Sequence, residues 1–195
     1  MTVILASTSR SRGALLRGAG VAFDAIAPGV DEAEAKQALL AEGATPRRIA
    51  EVLAGMKATA VSERSPGLVI GADQTLDFDG EVIDKAESLA EARERLFALR
   101  GRKHQLHAAV VVAEGGRAVW ETVETATLHM RDFSDDFLDS YLNRAGDEVL
   151  GSVGCYQLEG LGVQLFERID GDYFTILGLP MLGLLEFLRG RGALD

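Results

Sequence analysis

Asp73 has the surroundings of a carboxylate that is placed for chemistry. It follows an apolar run at residues 68–72, which contains β-branched side chains and is typical of a buried strand. We expect this strand to end on Asp73, and in open α/β sheets ligands bind beyond the carboxyl ends of the strands. An acid there is available for chemistry. The alternative is that Asp73 only hydrogen-bonds the backbone of a following turn.

A serine-rich segment near the N-terminus, residues 7–12, has the composition of an anion-binding site. It lies between a short apolar run and a helical stripe of apolar residues. Hydroxyls and amides at the start of a helix bind anions, and Arg12 can add a fixed bidentate charge, so a phosphate would suit this segment. Serines at a helix start are also ordinary N-caps, and that interpretation stays open.

Two adjacent acids, Asp31 and Glu32, open the next predicted helix. The helix macrodipole favours acids at this position, which is one explanation for them. A carboxylate pair that lies near Asp73 would instead suit a divalent cation. The sequence alone leaves both explanations open.

Two lysines are candidate cations. Thr45 and Pro46 are a strong start signal for a helix that continues to about residue 63. Lys57 in that helix follows Leu53 by four residues and can lie near the buried face, although an exposed, solvated lysine is the simpler expectation. Lys85 is predicted in a loop beside a hairpin, where it is free to reach a phosphate.

The remaining pattern predicts a mixed α/β fold, with a twisted central sheet flanked by helices and a cleft beyond the first and third strands. The strands are predicted at residues 2–6, 21–27, 68–72, 108–113, 118–130 and 163–166, with a short hairpin over 76–83. Further helices are predicted from residue 12, from 31, over 88–101, over 134–141 and around 182–188.

Composition narrows the class of protein. The 195 residues are 47% hydrophobic and 26% charged, which favours one globular domain over residues 1–195. The net charge of -10 argues against binding to a nucleic acid polymer or to an anionic membrane. Cys155 is the only cysteine, and no signal peptide or membrane-spanning run is found, so we expect a cytoplasmic protein.

Three separated stretches, residues 5–12, 71–74 and 171–180, together resemble the Maf family of nucleoside triphosphate pyrophosphatases. Residues 31–32, Lys85 and residues 154–156 also fall in the family's order, so the resemblance covers nearly the whole chain. It implies the inosine-triphosphatase-like (Maf/Ham1) architecture and a homodimer. It also implies hydrolysis between the α and β phosphates, which gives a nucleoside monophosphate and pyrophosphate.

The resemblance also implies roles for particular residues. Asp73 would accept the proton of the attacking water, Glu32 and Asp73 would hold Mg²⁺ or Mn²⁺, and Lys85 would join the catalytic set as a phosphate contact. The side chains implied to bind substrate are Ser7, Ser9, Ser11, Arg12, Lys57, Gln74 and Glu159. A side chain aimed at a ligand makes few core contacts, so we expect Arg12→Ala to weaken phosphate binding without unfolding the protein.

The base preference is the finer question. Ser11 stands where the family usually has another residue, Ala86 replaces a usual proline, and Cys155 replaces a usual alanine. Gln74 and Glu159 look more like the 7-methyl-GTP branch than the dTTP and UTP branch. A carboxylate can accept from two donors of guanine, which agrees with that resemblance. The alternatives are a dTTP/UTP-preferring pyrophosphatase, and a non-catalytic nucleotide-binding regulator of cell division.

Overall fold

The computed structural model describes residues 1–195 as a mixed α/β fold built on a single seven-stranded sheet, as the sequence pattern predicts. The strands are β1 (Val3–Leu5), β2 (Asp24–Ala25), β3 (Leu68–Phe78), β4 (Glu81–Ile83), β5 (Lys103–Glu114), β6 (Arg117–Met130) and β7 (Phe166–Asp170). Their order in the sheet is β2-β1-β3-β5-β6-β7, with β4 paired to β3. The first three strands of that order are parallel, and the other pairs are antiparallel.

Seven α-helices surround the sheet. They are α1 (Arg10–Gly18), α2 (Glu32–Ala41), α3 (Pro46–Ser62), α4 (Leu89–Leu99), α5 (Asp135–Ala145), α6 (Tyr173–Ile176) and α7 (Met181–Gly190). Two short 3-10 helices occupy Gly146–Gly151 and Leu161–Leu165. None of the helices is long and apolar enough to cross a membrane.

The prediction that the third strand ends on Asp73 is wrong, because β3 continues five residues further, to Phe78. The long antiparallel partner β5 supplies hydrogen bonds along this whole stretch and pairs Ala109 with Asp73. On its other edge β3 pairs with β1 only up to Ile70 and with β4 only from Leu76 onward. Residues 71–75 therefore have a strand on one side only, and the open edge gives Asp73 access to a cleft.

Helix α3 covers the face of β3 on which Asp73 lies. Small residues let the two elements approach closely, since a Cβ atom added at Gly71 would lie 2.3 Å from the Ala54 carbonyl oxygen. Two residues further along the same face, Asp73 meets Lys57 of this helix. Thr75, two residues further again, donates a hydrogen bond to the Pro46 carbonyl at 2.9 Å.

Most predicted helix starts are confirmed because they depend on local hydrogen bonds. Thr45, Ser88 and Ser134 each accept from a backbone N–H three residues later, as N-caps do. Two strand predictions fail. Residues 163–166 lie mainly in the second 3-10 helix, since pairing with β6 begins only at Phe166. The strand predicted over 21–27 shrinks to Asp24–Ala25, the two residues that pair with β1.

Candidate active site

A cleft of 1130 Å³ opens at the free edge of β3. It is large enough for a nucleotide, because ligand sites in proteins typically measure roughly 300–1,000 Å³. The ten side chains selected from the sequence all line it, although they come from six separate segments of the chain. They are Ser7, Ser9, Ser11, Arg12, Glu32, Lys57, Asp73, Gln74, Lys85 and Glu159.

A buried ammonium joins two carboxylates at the centre of the cleft. Lys57 Nζ lies 2.6 Å from Asp73 Oδ1 and 2.7 Å from Glu32 Oε2. Only 5% of Lys57 and 8% of Asp73 are exposed, so the expectation of a solvated lysine is wrong. Lys57 lies on the apolar face of α3, and the two acids supply the partners that a buried charge requires.

Burial raises the pKa of Asp73 above its ordinary value, and this effect outweighs the opposing attraction of Lys57 and Arg12. Desolvation disfavours the charged form of a carboxyl group, whereas nearby cations favour it. A carboxylate with a raised pKa is a better proton acceptor than an exposed one. Asp73 is thus both more basic and directly accessible from the cleft.

Glu32 and Asp73 fit the requirements of a divalent metal in part. Their oxygens converge on one ammonium, so they lie close enough to share one cation. Carboxylate oxygens are the ligands that Mg²⁺ and Mn²⁺ prefer. No group of three or more histidine, cysteine, aspartate or glutamate side chains is arranged around one metal position. A metal held here would take its other ligands from substrate phosphates and water, which is the usual arrangement for Mg²⁺.

Arg12 links three parts of the fold. Its Nε donates to the Gly178 carbonyl and its Nη1 donates to the Ala72 carbonyl, both at 2.9 Å. Burial lowers the pKa of Arg12, while Asp73 and Glu32 counteract this. The expectation that this side chain makes few structural contacts is therefore wrong. Nη2 makes no hydrogen bond to the protein and can serve a ligand.

The three serines of the first motif form the entry to α1. Ser9 is the N-cap and its hydroxyl accepts from the Arg12 N–H at 3.4 Å. The same hydroxyl lies 3.0 Å from that of Ser11, and the Ser7 hydroxyl accepts from the Ser9 N–H at 3.1 Å. The N-cap interpretation is confirmed for Ser9. Because all three hydroxyls also line the cleft, a cap role and an anion-binding role are compatible.

Gln74 anchors the segment that closes one side of the cleft. Its Nε2 donates to the carbonyls of Thr175 and Ile176, at 2.9 and 3.0 Å. Thr175 in turn donates through its hydroxyl to Glu124 Oε2 of β6, at 2.7 Å. The amide nitrogen of Gln74 is thus engaged within the protein, and its oxygen is the part left for a substrate.

Comparison with known proteins identifies the family. Residues 2–191 match the family model described as Maf-like protein. The chain belongs to the Maf family. It is 62% identical over 192 residues to a protein of Caulobacter vibrioides named nucleoside triphosphate pyrophosphatase, with 98% of this chain and 96% of the relative covered. It is 47% identical over 198 residues to a protein of Brucella abortus named 7-methyl-GTP pyrophosphatase, with 100% of each covered.

A solved structure gives a weaker likeness to this Maf-family chain. The nucleoside-triphosphatase / dITP/XTP pyrophosphatase of Mycobacterium abscessus aligns with a TM-score of 0.43 and 13% identity, over 98% of this chain and 95% of the other.

Lys85 and Glu159 lie on two exposed loops of this Maf-family protein. Arg95 of α4 donates hydrogen bonds to both loops. Arg95 Nη1 donates to the Asp84 carbonyl, beside Lys85, and to the Val153 carbonyl at 3.3 Å. Its Nη2 lies 2.8 Å from Glu91 Oε1. Sequence reasoning missed Arg95. The spacing of four residues from Glu91 predicts the pair within the helix but not the contacts with the loops.

Lys36 of α2 also lines the cleft and was not selected from the sequence. It follows Glu32 by four residues and therefore lies on the same side of the helix. Its Nζ pairs with Asp84, the neighbour of Lys85. The spacing of four residues from Glu32, which was already assigned to the site, is the sequence signal that could have identified Lys36.

Proposed function

We propose that this Maf-family protein is a metal-dependent nucleoside triphosphate pyrophosphatase that favours purines resembling 7-methyl-GTP. The observation that carries the proposal is the position of Asp73, a buried and basic carboxylate among several cations in one cleft. A protein that only binds nucleotides needs the cations but has no use for a positioned base. The names of the relatives from Caulobacter vibrioides and Brucella abortus support the same reaction class.

The chain's own residues account for the main steps. Asp73 accepts a proton from a water molecule, whose oxygen attacks the α phosphorus and forms a new P–O bond. The bond from that phosphorus to the α–β bridging oxygen breaks, and pyrophosphate leaves. Lys57, Arg12 and Lys85 bind phosphate oxygens and stabilise the negative charge of the transition state. The products are a nucleoside monophosphate and pyrophosphate.

Glu32 and Asp73 are the residues that would hold Mg²⁺ or Mn²⁺. A bound divalent cation would neutralise charge on the phosphates and polarise the bond that breaks. The Lys57 ammonium bridges the same two carboxylates. We infer that Lys57 turns toward the phosphates once substrate is present.

Glu159 supports the preference for purines. Its side chain is exposed on the wall of the cleft and makes no hydrogen bond within the protein. A carboxylate can accept from both N1–H and the exocyclic amine of guanine, and it favours the positive charge of a 7-methylated ring. Uracil and thymine offer only one such donor.

Pyrophosphate release tests the proposal. The purified protein is supplied with Mg²⁺ or Mn²⁺ and with 7-methyl-GTP, GTP, dTTP, UTP and CTP, and Asp73→Asn serves as the inactive control. We expect metal-dependent release that is fastest with 7-methyl-GTP. Glu159→Gln should lower kcat/KM for 7-methyl-GTP by about tenfold or more, the scale for a lost charged hydrogen bond, with little change for dTTP.

Other results would support the alternatives. Faster turnover of dTTP and UTP would favour the pyrimidine-preferring branch. If no nucleotide releases pyrophosphate but nucleotide binding is intact, a non-catalytic regulator would be favoured. A single domain over residues 1–195, a homodimer and a cytoplasmic location stay predictions.

A further inference from the structure

Lys36 is held in the wall of the cleft rather than in solvent. Only 14% of its side chain is exposed, and it lines the same cavity as Asp73 and Lys85. Residues four apart on a helix have neighbouring side chains, so Lys36 lies one turn from Glu32 on the cleft side of α2. Its ammonium is thus part of the electrostatic environment of any ligand in the cleft.

The partner of Lys36 is easily released. Its Nζ pairs with Asp84, but 75% of the Asp84 side chain is exposed. A carboxylate that is already mostly hydrated loses little when its counter-ion moves away. Lys57 differs, because its two carboxylates include the buried Asp73, and its release would require another cation in its place.

The cleft needs more free positive charge than its central residues provide. Lys57 is already neutralised by Asp73 and Glu32, and a triphosphate brings several further negative charges. Arg12 forms no salt bridge, since both of its protein acceptors are backbone carbonyls. Lys85 has no ion-pair partner. Arg10 also lines the cleft without an ion-pair partner, and Lys36 is a further cation whose charge can be freed at low cost.

We propose that Lys36 is a phosphate-binding residue that exchanges Asp84 for a phosphate oxygen when substrate enters. The inference rests on the proposed function in that it takes a nucleoside triphosphate as the ligand. Asp84 competes with the phosphate for the Lys36 ammonium. The alternative is that the Lys36–Asp84 salt bridge only stabilises the packing of α2 against the loop after β4.

The phosphate-binding role and the structural role predict different changes in the dissociation constant for two variants. If Lys36 binds phosphate, Lys36→Gln removes a charged hydrogen bond and raises the dissociation constant about tenfold or more. Asp84→Asn removes the competitor and lowers that constant about two- to fivefold, the range that an exposed ion pair spans. If the salt bridge is only structural, both variants should weaken binding.

The experiment is isothermal titration calorimetry with Mg²⁺ and a GTP analogue that carries methylene in place of the α–β bridging oxygen. Lys36→Arg keeps the positive charge and a donor for the phosphate, so it should bind within about threefold of wild type. Inorganic triphosphate should show the same order of variants, since the contact is to phosphate and not to the base.

The proposal is overturned if both variants bind more weakly, if Lys36→Gln binds like wild type, or if the wild-type protein binds neither ligand. Turnover of ordinary GTP is measured in parallel. Absent turnover with the opposite binding shifts would refute the proposed function and keep the role of Lys36. Normal turnover without those shifts would keep the proposed function and refute the role of Lys36.

Discussion

Lys57 Nζ lies 2.6 Å from Asp73 Oδ1, and both side chains are almost fully buried. The same ammonium reaches Glu32 Oε2 at 2.7 Å, so one cation serves two carboxylates. A buried charge without a partner is costly, so Lys57 and Asp73 depend on each other, whereas 45% of the Glu32 side chain is exposed. This arrangement keeps the proposed proton acceptor, a cation and a second carboxylate together.

Asp73→Asn should abolish most turnover and leave the fold intact. The amide is nearly isosteric and Lys57 retains Glu32 as its partner. We expect turnover to fall by about 10²-fold or more, the usual scale for loss of a general base, while nucleotide binding survives. Pyrophosphate release and calorimetric binding measure the two effects. Asp24→Asn, on the exposed strand β2, is the matched control, and equal losses in the two variants would remove Asp73 from the mechanism.

The pH profile should report the raised pKa of Asp73. A base works only when it is deprotonated, so kcat/KM should be lost as the pH falls through a value above the ordinary 3.8. Since the pKa is higher in the folded than in the unfolded chain, the contribution of this carboxyl group to stability is full below 3.8 and declines as the pH rises through the raised value. Urea unfolding of wild type and Asp73→Asn across that range isolates this contribution. A limb of kcat/KM at or below the ordinary value would contradict the prediction.

Arg12→Ala should reduce stability as well as phosphate affinity. The substitution leaves the carbonyls of Ala72 and Gly178 without their donor. Loss of two charged hydrogen bonds costs about 2–4 kcal/mol, which for a chain of this size lowers Tm by roughly 5–12 °C. Calorimetric unfolding without ligand measures this effect. Arg17→Ala, at the other end of α1, is the control, and an unchanged Tm for Arg12→Ala would show that its two contacts are unimportant for folding.

Gly71→Ala should destabilise the protein, because the new Cβ would meet the backbone of α3. The Ala54 carbonyl oxygen lies 2.3 Å from that position, and neither the helix nor the strand can give way locally. We expect a loss of about 3 kcal/mol or more in the free energy of unfolding, the upper range for overpacking. Gly55→Ala is the matched control on α3, since its Cβ would meet only Val111, at 4.0 Å. It should stabilise the helix by about 0.5–1 kcal/mol, and similar losses in both variants would refute the close-approach argument.

Arg95→Met should weaken substrate binding in the cleft, although Arg95 itself lies outside the cleft. The side chain stabilises the Asp84 and Val153 carbonyls on the loops that carry Lys85 and Glu159. Its loss should cost about 1–3 kcal/mol of stability through unsatisfied carbonyls and raise KM more than it lowers kcat. Arg93→Met, on the same helix with the exposed partner Asp139, should leave both quantities unchanged. Equal kinetics in the two variants would mean that Arg95 does not position the loops.

Much of the local structure could be predicted because its causes lie within a few residues. The caps Thr45, Ser88 and Ser134 bond backbone groups three positions away, and those helices begin where predicted. The hairpin between β3 and β4 turns at Asp79 and Gly80, both with positive φ, as this residue pair favours. The residues of the cleft could be selected because their types and order match one family.

The contacts that give those residues their chemistry could not be predicted from spacing. Lys57 was expected in solvent, and only the packing of α3 on Gly71 places it against Asp73. The hydrogen bond of Arg12 to Gly178 joins residues 166 positions apart. The end of β3 was misplaced because a strand ends where its neighbours end, and here β5 continues.

The sequence by itself therefore determined the helix starts, the turns and the set of side chains available to a phosphate ligand, since each depends on local hydrogen bonds or on residue type. Only the tertiary structure decided which of these charges are buried, which are paired and which are free. Those properties depend on desolvation and on distances between segments that are remote in the chain, and both are fixed only when the helices pack on the sheet.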